Sequence, residues 1–232
     1  MAFIKKVLNY FSKTEIALWT SSVGLIVISF CAFDRQNYLT LISSLIGVTS
    51  LIFCAKGNPF GQVLMIAFSL FYGVISFALA YYGEMITYIG MTLPMAVVAL
   101  ISWLKNPYKG NKAEVKVNEI TLKEVIFACV LTVLVATLFY FILDYLNTAN
   151  VIVSTISVAT SFFAVYLTFK RCPYFALAYA ANDVVLIVLW ILASVNDKKY
   201  ISVVVCFIAF LVNDVYGFVS WQKMKKKQAD DL

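Results

Sequence analysis

A chain of 232 residues that is 62% hydrophobic and 13% charged, with apolar residues from end to end, is not a soluble domain with an anchor. The absence of histidine removes imidazole acid–base chemistry and the commonest metal ligand, so no metal or cofactor is expected. The net charge of +6 needs no nucleic acid to explain it, because the basic residues follow the pattern of the membrane spans.

Residues 1–14 carry Lys5, Lys6 and Lys13 and read as an interfacial lead-in, with no cleavable signal peptide evident. Eight hydrophobic stretches follow, at 15–33, 38–55, 60–82, 85–103, 122–145, 151–169, 174–194 and 200–221. Each is near the length that a hydrocarbon core of about 30 Å requires. Asn58-Pro59 and Cys172-Pro173 place proline where a helix starts and its missing N–H is harmless. The stretch from Lys105 to Lys123 is the one long polar loop, and it divides the chain. The five cysteines (Cys31, Cys54, Cys129, Cys172, Cys206) form no C-x-x-C pair and read as small packing residues.

With eight spans both termini lie on one side. That side collects Lys56, the 105–123 loop, Lys170, Arg171 and the tail Lys223, Lys225, Lys226 and Lys227, against Arg35, Lys198 and Lys199 on the other. The positive-inside rule puts both termini in the cytoplasm of a bacterial-type inner membrane, with the tail meeting anionic lipid.

Gly47-Val48-Thr49-Ser50-Leu51 is similar to Val158-Ala159-Thr160-Ser161-Phe162, and Ser102-Trp103 to Ser220-Trp221. The expected architecture is therefore an all-α membrane protein of eight helices. A parallel 3+1+3 repeat follows an extra N-terminal helix, and substrate sites in such folds lie at the repeat interface. The divisions are 1–37 (lead-in and extra helix), 38–104 (first triplet), 105–148 (loop and connector), 149–221 (second triplet) and 222–232 (basic tail). Thr49, Ser50, Thr160 and Ser161 are read as small residues that let helices pack closely.

The last two spans each bury a polar pair, Asn182-Asp183 and Asn213-Asp214. A carboxylate at the centre of a membrane helix costs about 2.5–3.5 kcal/mol on insertion scales, so two of them beside two amides mark a polar pocket. Neither span carries Lys or Arg to neutralise them, which leaves protonation, hydration, or bonding to amides, hydroxyls or substrate. Neighbours on a helix diverge by about 100°, so the two members of a pair cannot both face a pocket squarely, and one is available to hold a neighbouring helix. Trp190 and Tyr216 are candidate stacking groups, and Gln62 is a candidate polar lining of the pathway.

Asn213-Asp214-Val215-Tyr216-Gly217-Phe218 followed by Trp221 resembles the PnuC family of vitamin and nucleoside facilitators. The first half agrees at Ala55-Lys56-Gly57-Asn58-Pro59, Leu70-Phe71-Tyr72-Gly73, Tyr82-Gly83-Glu84-Met85 and Leu93-Pro94-Met95. The resemblance implies a SWEET-related 3+1+3 fold, often a homotrimer, that passes a nucleoside-like small molecule down its gradient. It also implies trapping of the product by a cytoplasmic kinase, and nicotinamide riboside as the usual substrate. Ala96 and the run Ala176 to Ala181 depart from the pattern of nicotinamide riboside members. Deoxyribonucleosides, thiamine and ion-coupled symport through the two Asp residues therefore stay open as alternatives. Without histidine or a cysteine cluster, an enzyme is not expected.

Overall fold

The computed structural model describes residues 10–78 and 82–231, so Lys5 and Lys6 of the predicted lead-in lie outside the described residues. Among the described residues, eight helices are long and apolar enough to cross a membrane. They are α1 (Lys13–Phe33), α2 (Tyr38–Ala55), α3 (Phe60–Ala78), α4 (Tyr82–Lys105), α5 (Leu122–Tyr145), α6 (Val151–Phe169), α7 (Phe175–Ser194) and α8 (Ile201–Asp230).

Local chemistry sets where they begin. Ser12 and Glu15 form a reciprocal capping box on α1, and Thr121 and Glu124 form another on α5, each satisfying N–H groups that the first turn leaves open. Asn58 Oδ1 accepts from Phe60 N at 2.9 Å, which starts α3 directly after Pro59.

In α4 the turn Thr87–Thr92 is π-helical and runs directly into the segment that contains Pro94. The wide turn precedes the one position that has no N–H to give, and Thr92 Oγ1 donates back to Thr87 O at 3.2 Å. The predicted boundary moves here. Tyr82, expected to end the third span, belongs to the start of the fourth.

Two further expectations are corrected. The 105–123 segment is not plain loop, because Pro107–Tyr108 pairs antiparallel with Asn111–Val115 as β1 and β2. Lys109 and Gly110 between them have φ of 47° and 79°, the two positive values that a two-residue type I′ turn requires. Nor does the last helix stop at Trp221; it continues to Asp230 because its basic end has something to pack on. Gln228 accepts from Val117 N at 2.8 Å and donates to Val115 O at 3.1 Å, and Met224 is buried beside it. Val115 N in turn donates to Gly57 O at 2.9 Å, so the hairpin joins the turn after α2 to the end of α8. Gly57 has φ of +65°, where a side chain would strain the backbone.

The same face is tied across the bundle. Arg171 reaches Ser102 Oγ at 2.7 Å, and Lys170 bonds Glu124 at 2.8 Å. That bond holds the Lys170 ammonium pKa above its usual value. Packing inside is aromatic: Trp103, Trp221 and Phe175 form one cluster under the hairpin. Val48, Phe68 and Phe210 belong to a second between α2, α3 and α8, and Met91, Phe139 and Phe162 to a third between α4, α5 and α6. The α5 surface is largely exposed apolar, with Ile126, Phe127, Val133 and Phe141 more than half exposed. Such a face suits a helix bathed in lipid.

Candidate central cavity

A cavity of about 90 Å³ lies among α2, α3, α4, α6, α7 and α8. Four helices supply its polar lining. Ser154, Ser157 and Ser161 recur at three- and four-residue spacing, which puts them on one face of α6. The π turn of α4 contributes Thr87, Tyr88 and Thr92, with Glu84 one turn earlier. From α7 and α8 come Asn182, Asp183 and Asp214. The lining is also rich in aromatic rings: Phe68 meets Tyr88 edge-on with centroids 6.0 Å apart and contacts Phe210 at the same distance, and Phe207 and Tyr179 line the cavity too.

The carboxyl groups of Asp183 and Asp214 lie within hydrogen-bonding reach of each other across the α7–α8 contact. Asp183 Oδ2 is buried without a hydrogen-bond partner. Thr160 Oγ1 donates to Asn182 Oδ1 at 2.9 Å and fixes that amide. Among the described residues no Lys or Arg lines this cavity. Aromatic rings with a few amides, hydroxyls and carboxyls are the chemistry that suits a flat ring carrying a polyhydroxylated group. The volume of about 90 Å³ is well below the roughly 300–1,000 Å³ of a site that holds such a molecule, so the walls must part to admit it.

Of the residues singled out in the sequence, Asn182, Asp183 and Asp214 come together here. The other four are placed elsewhere. Asn213 turns away from the cavity: its Nδ2 donates to Ser22 Oγ of α1 at 2.8 Å and to Ala209 O at 2.7 Å. The reason is the rotation of about 100° between neighbours, which sends Asp214 inward and Asn213 toward α1. Gln62 is buried against Cys54, its Nε2 3.3 Å from the sulfur. Tyr216 lies by Ser12 and Glu15 at the start of α1. Trp190 packs on Tyr200, with centroids 5.3 Å apart, nearer the face opposite the termini.

Glu84, Thr87, Tyr88, Thr92, Ser154 and Ser157 were not singled out as site residues, and Ser161 was read only as a small packing residue. The serine spacing was a readable signal. Lone hydroxyls inside apolar spans, however, satisfy themselves against their own helix, as Thr87 does toward Gly83 O at 3.0 Å, and so attract no notice.

A second cavity, of about 350 Å³, opens where Tyr82, the α5–α6 turn (Leu146, Asn147, Asn150) and Asn196 meet. It shares Gly83, Glu84, Thr148, Ser154 and Leu189 with the central one. On the face that carries the termini, a cavity of about 480 Å³ between Tyr10, Lys56 and Lys223 shares no wall residue with the centre. Trp103 and Trp221, both fully buried, lie on that face.

Comparison with known proteins agrees with this architecture. Over 94% of both chains the fold superposes on the crystal structure of the vitamin B3 transporter PnuC, with a TM-score of 0.81 at 20% identity. The nicotinamide riboside transporter PnuC of Neisseria mucosa is 22% identical over 201 residues, covering 85% of this chain and 76% of the relative. Its namesake from Haemophilus influenzae is 21% identical over 193 residues, 83% of this chain and 82% of the relative. Residues 37–223 match the family profile described as nicotinamide mononucleotide transporter. That match leaves out α1 and takes in every other span, and on it the chain belongs to the nicotinamide mononucleotide transporter family of membrane proteins.

Proposed function

We propose that this chain carries a nicotinamide riboside-type nucleoside across a bacterial inner membrane, with both termini in the cytoplasm. The observation that carries the reading is the central cavity, which Phe68, Tyr88 and Phe210 line together with Asn182, Asp183 and Asp214 inside a transporter fold. Rings stack on the base, and the amide and carboxyls bond ribose hydroxyls and the carboxamide. The two relatives named as nicotinamide riboside transporters support the substrate.

The mechanism is alternating access. The two triplets, 38–104 and 149–221, rock about the cavity. The connection to the 350 Å³ cavity, with Trp103 and Trp221 packed on the other face, supports reading this conformer as open to the outside. Transport runs down the gradient, a cytoplasmic kinase traps the product, and the working unit is a homotrimer, all three on the family resemblance. The fold and family are those of a transporter, and no catalytic role is assigned to any residue.

Calorimetric titration of the purified protein with nicotinamide riboside, thymidine, deoxycytidine and thiamine tests the substrate. Binding of nicotinamide riboside alone is expected. Binding of deoxyribonucleosides alone would replace it with a changed specificity, consistent with the departures at Ala96 and in α7.

A further inference from the structure

Glu84 is where the cavities meet. Its side chain lines the central cavity, the 350 Å³ outer cavity and a small third one between Asp34, Trp190 and Tyr200. It sits in the first turn of α4, in reach of the buried Ser76 hydroxyl of α3. Beside it, an added Cβ on Gly83 would collide with Thr148 and Leu143, so the α4 start is pressed against the end of α5 and the turn after it. A solute passing from the outer cavity to the centre passes this carboxyl.

The ionisable side chains that line both the central and the outer cavity are acidic, apart from tyrosines. Glu84 stands at the junction, and Asp183 and Asp214 stand at the centre. Asp183 Oδ2 is buried, lacks a hydrogen-bond partner and belongs to the cavity wall. Among the described residues neither the central nor the outer cavity is lined by Lys or Arg. Lys199, which lines the small third cavity together with Glu84, is bonded to Asp197 at 2.8 Å. An ionised carboxylate in a low-dielectric wall attracts a cation and repels an anion far more strongly than it would in water, and a cation beside it favours the ionised form.

From this we infer that Glu84 is a specificity-determining residue for entry, and that the route selects a nucleoside whose base bears a fixed positive charge. An N-ribosylated pyridinium is such a base; the purine and pyrimidine nucleosides and a reduced dihydropyridine nucleoside are neutral. A nucleotide, with its phosphate, is turned back. This inference rests on the proposed substrate and adds the reason why a cationic nucleoside is preferred to a neutral one of the same shape.

The test uses the full-length protein in liposomes and two probes that differ by one hydride: nicotinamide riboside and its neutral 1,4-dihydro form. In the unmodified protein, KM for the cation should rise with ionic strength while KM for the neutral form stays flat. Glu84→Gln should raise KM for the cation about tenfold and leave the neutral form within about twofold, and Glu84→Asp should restore most of the loss. Equal losses for both probes in Glu84→Gln, or cation uptake indifferent to salt in the unmodified protein, would overturn the inference while leaving the substrate in place. Uptake of neither probe by the unmodified protein would remove the substrate itself, and this inference with it.

Discussion

The indole rings of Trp103 and Trp221 meet with centroids 5.4 Å apart, and each donates to the other half of the chain. Trp103, near the end of α4, donates through Nε1 to Thr168 O near the end of α6, at 2.8 Å. Trp221, late in α8, donates to Cys54 O near the end of α2, also at 2.8 Å. The third helix of each proposed triplet thus closes on the first helix of the other. Both rings are fully buried, so these bonds have no competing water.

Replacing either tryptophan by phenylalanine keeps a ring but removes the indole donor, while Thr168 O and Cys54 O still accept from Arg171 N at 3.0 Å and Gly57 N at 2.9 Å. The expected cost of each lost bond is about 0.5–1.5 kcal/mol, measured as the unfolding free energy or midpoint in detergent. Because the rings touch, the double variant should depart from the sum of the two single variants. Strict additivity would mean that the two bonds act independently.

Asn213 and Asp183 separate structure from transport. Asn213→Ala removes the bond to Ser22 and should loosen α1 by about 0.6–1.7 kcal/mol, the scale of interhelical bonds in membranes. Substrate affinity should stay unchanged. Asp183→Ala should weaken substrate binding by about 1–3 kcal/mol with the fold intact. Calorimetry beside thermal unfolding on the same samples checks both.

Glu15 and Lys56 form an ion pair at 3.2 Å, with the Glu15 side chain only 5% exposed. Removing Lys56 as alanine strands a buried carboxylate and should cost about 3–5 kcal/mol, whereas the double change Glu15→Gln with Lys56→Met should recover most of it. A Lys56→Ala protein as stable as the double variant would show that Glu15 needs no counter-charge.

Lys112 is exposed on the hairpin. With the exposed Cys31 and Cys129 replaced, a Lys112→Cys variant should take up a membrane-impermeant thiol reagent only after cells are permeabilised. Labelling of intact cells would invert the topology.

The spans were legible because a hydrocarbon core demands long apolar runs and Pro59 and Pro173 mark where two of them start. The hairpin was hidden by its polar composition, although Lys109-Gly110 between Tyr108 and Asn111 is a readable turn signal. In the cavity, the carboxylates of α7 and α8 stood out because charge is rare in apolar segments. Which member of Asn213-Asp214 faces inward depends on the rotation of α8 against α1, set by the contact with Ser22, and adjacent letters do not carry that information. Glu84 was quoted only as part of a motif, because its importance lies in the meeting of three cavities, which is a tertiary fact.

The most direct test of the central claim is uptake of labelled nicotinamide riboside into liposomes that contain only this protein. Saturable uptake should stop when inside and outside concentrations are equal, proceed without a proton or sodium gradient, and collapse in the Asp183→Ala variant. Absence of uptake would contradict the substrate, and accumulation above equilibrium driven by an imposed proton gradient would contradict the facilitator mechanism.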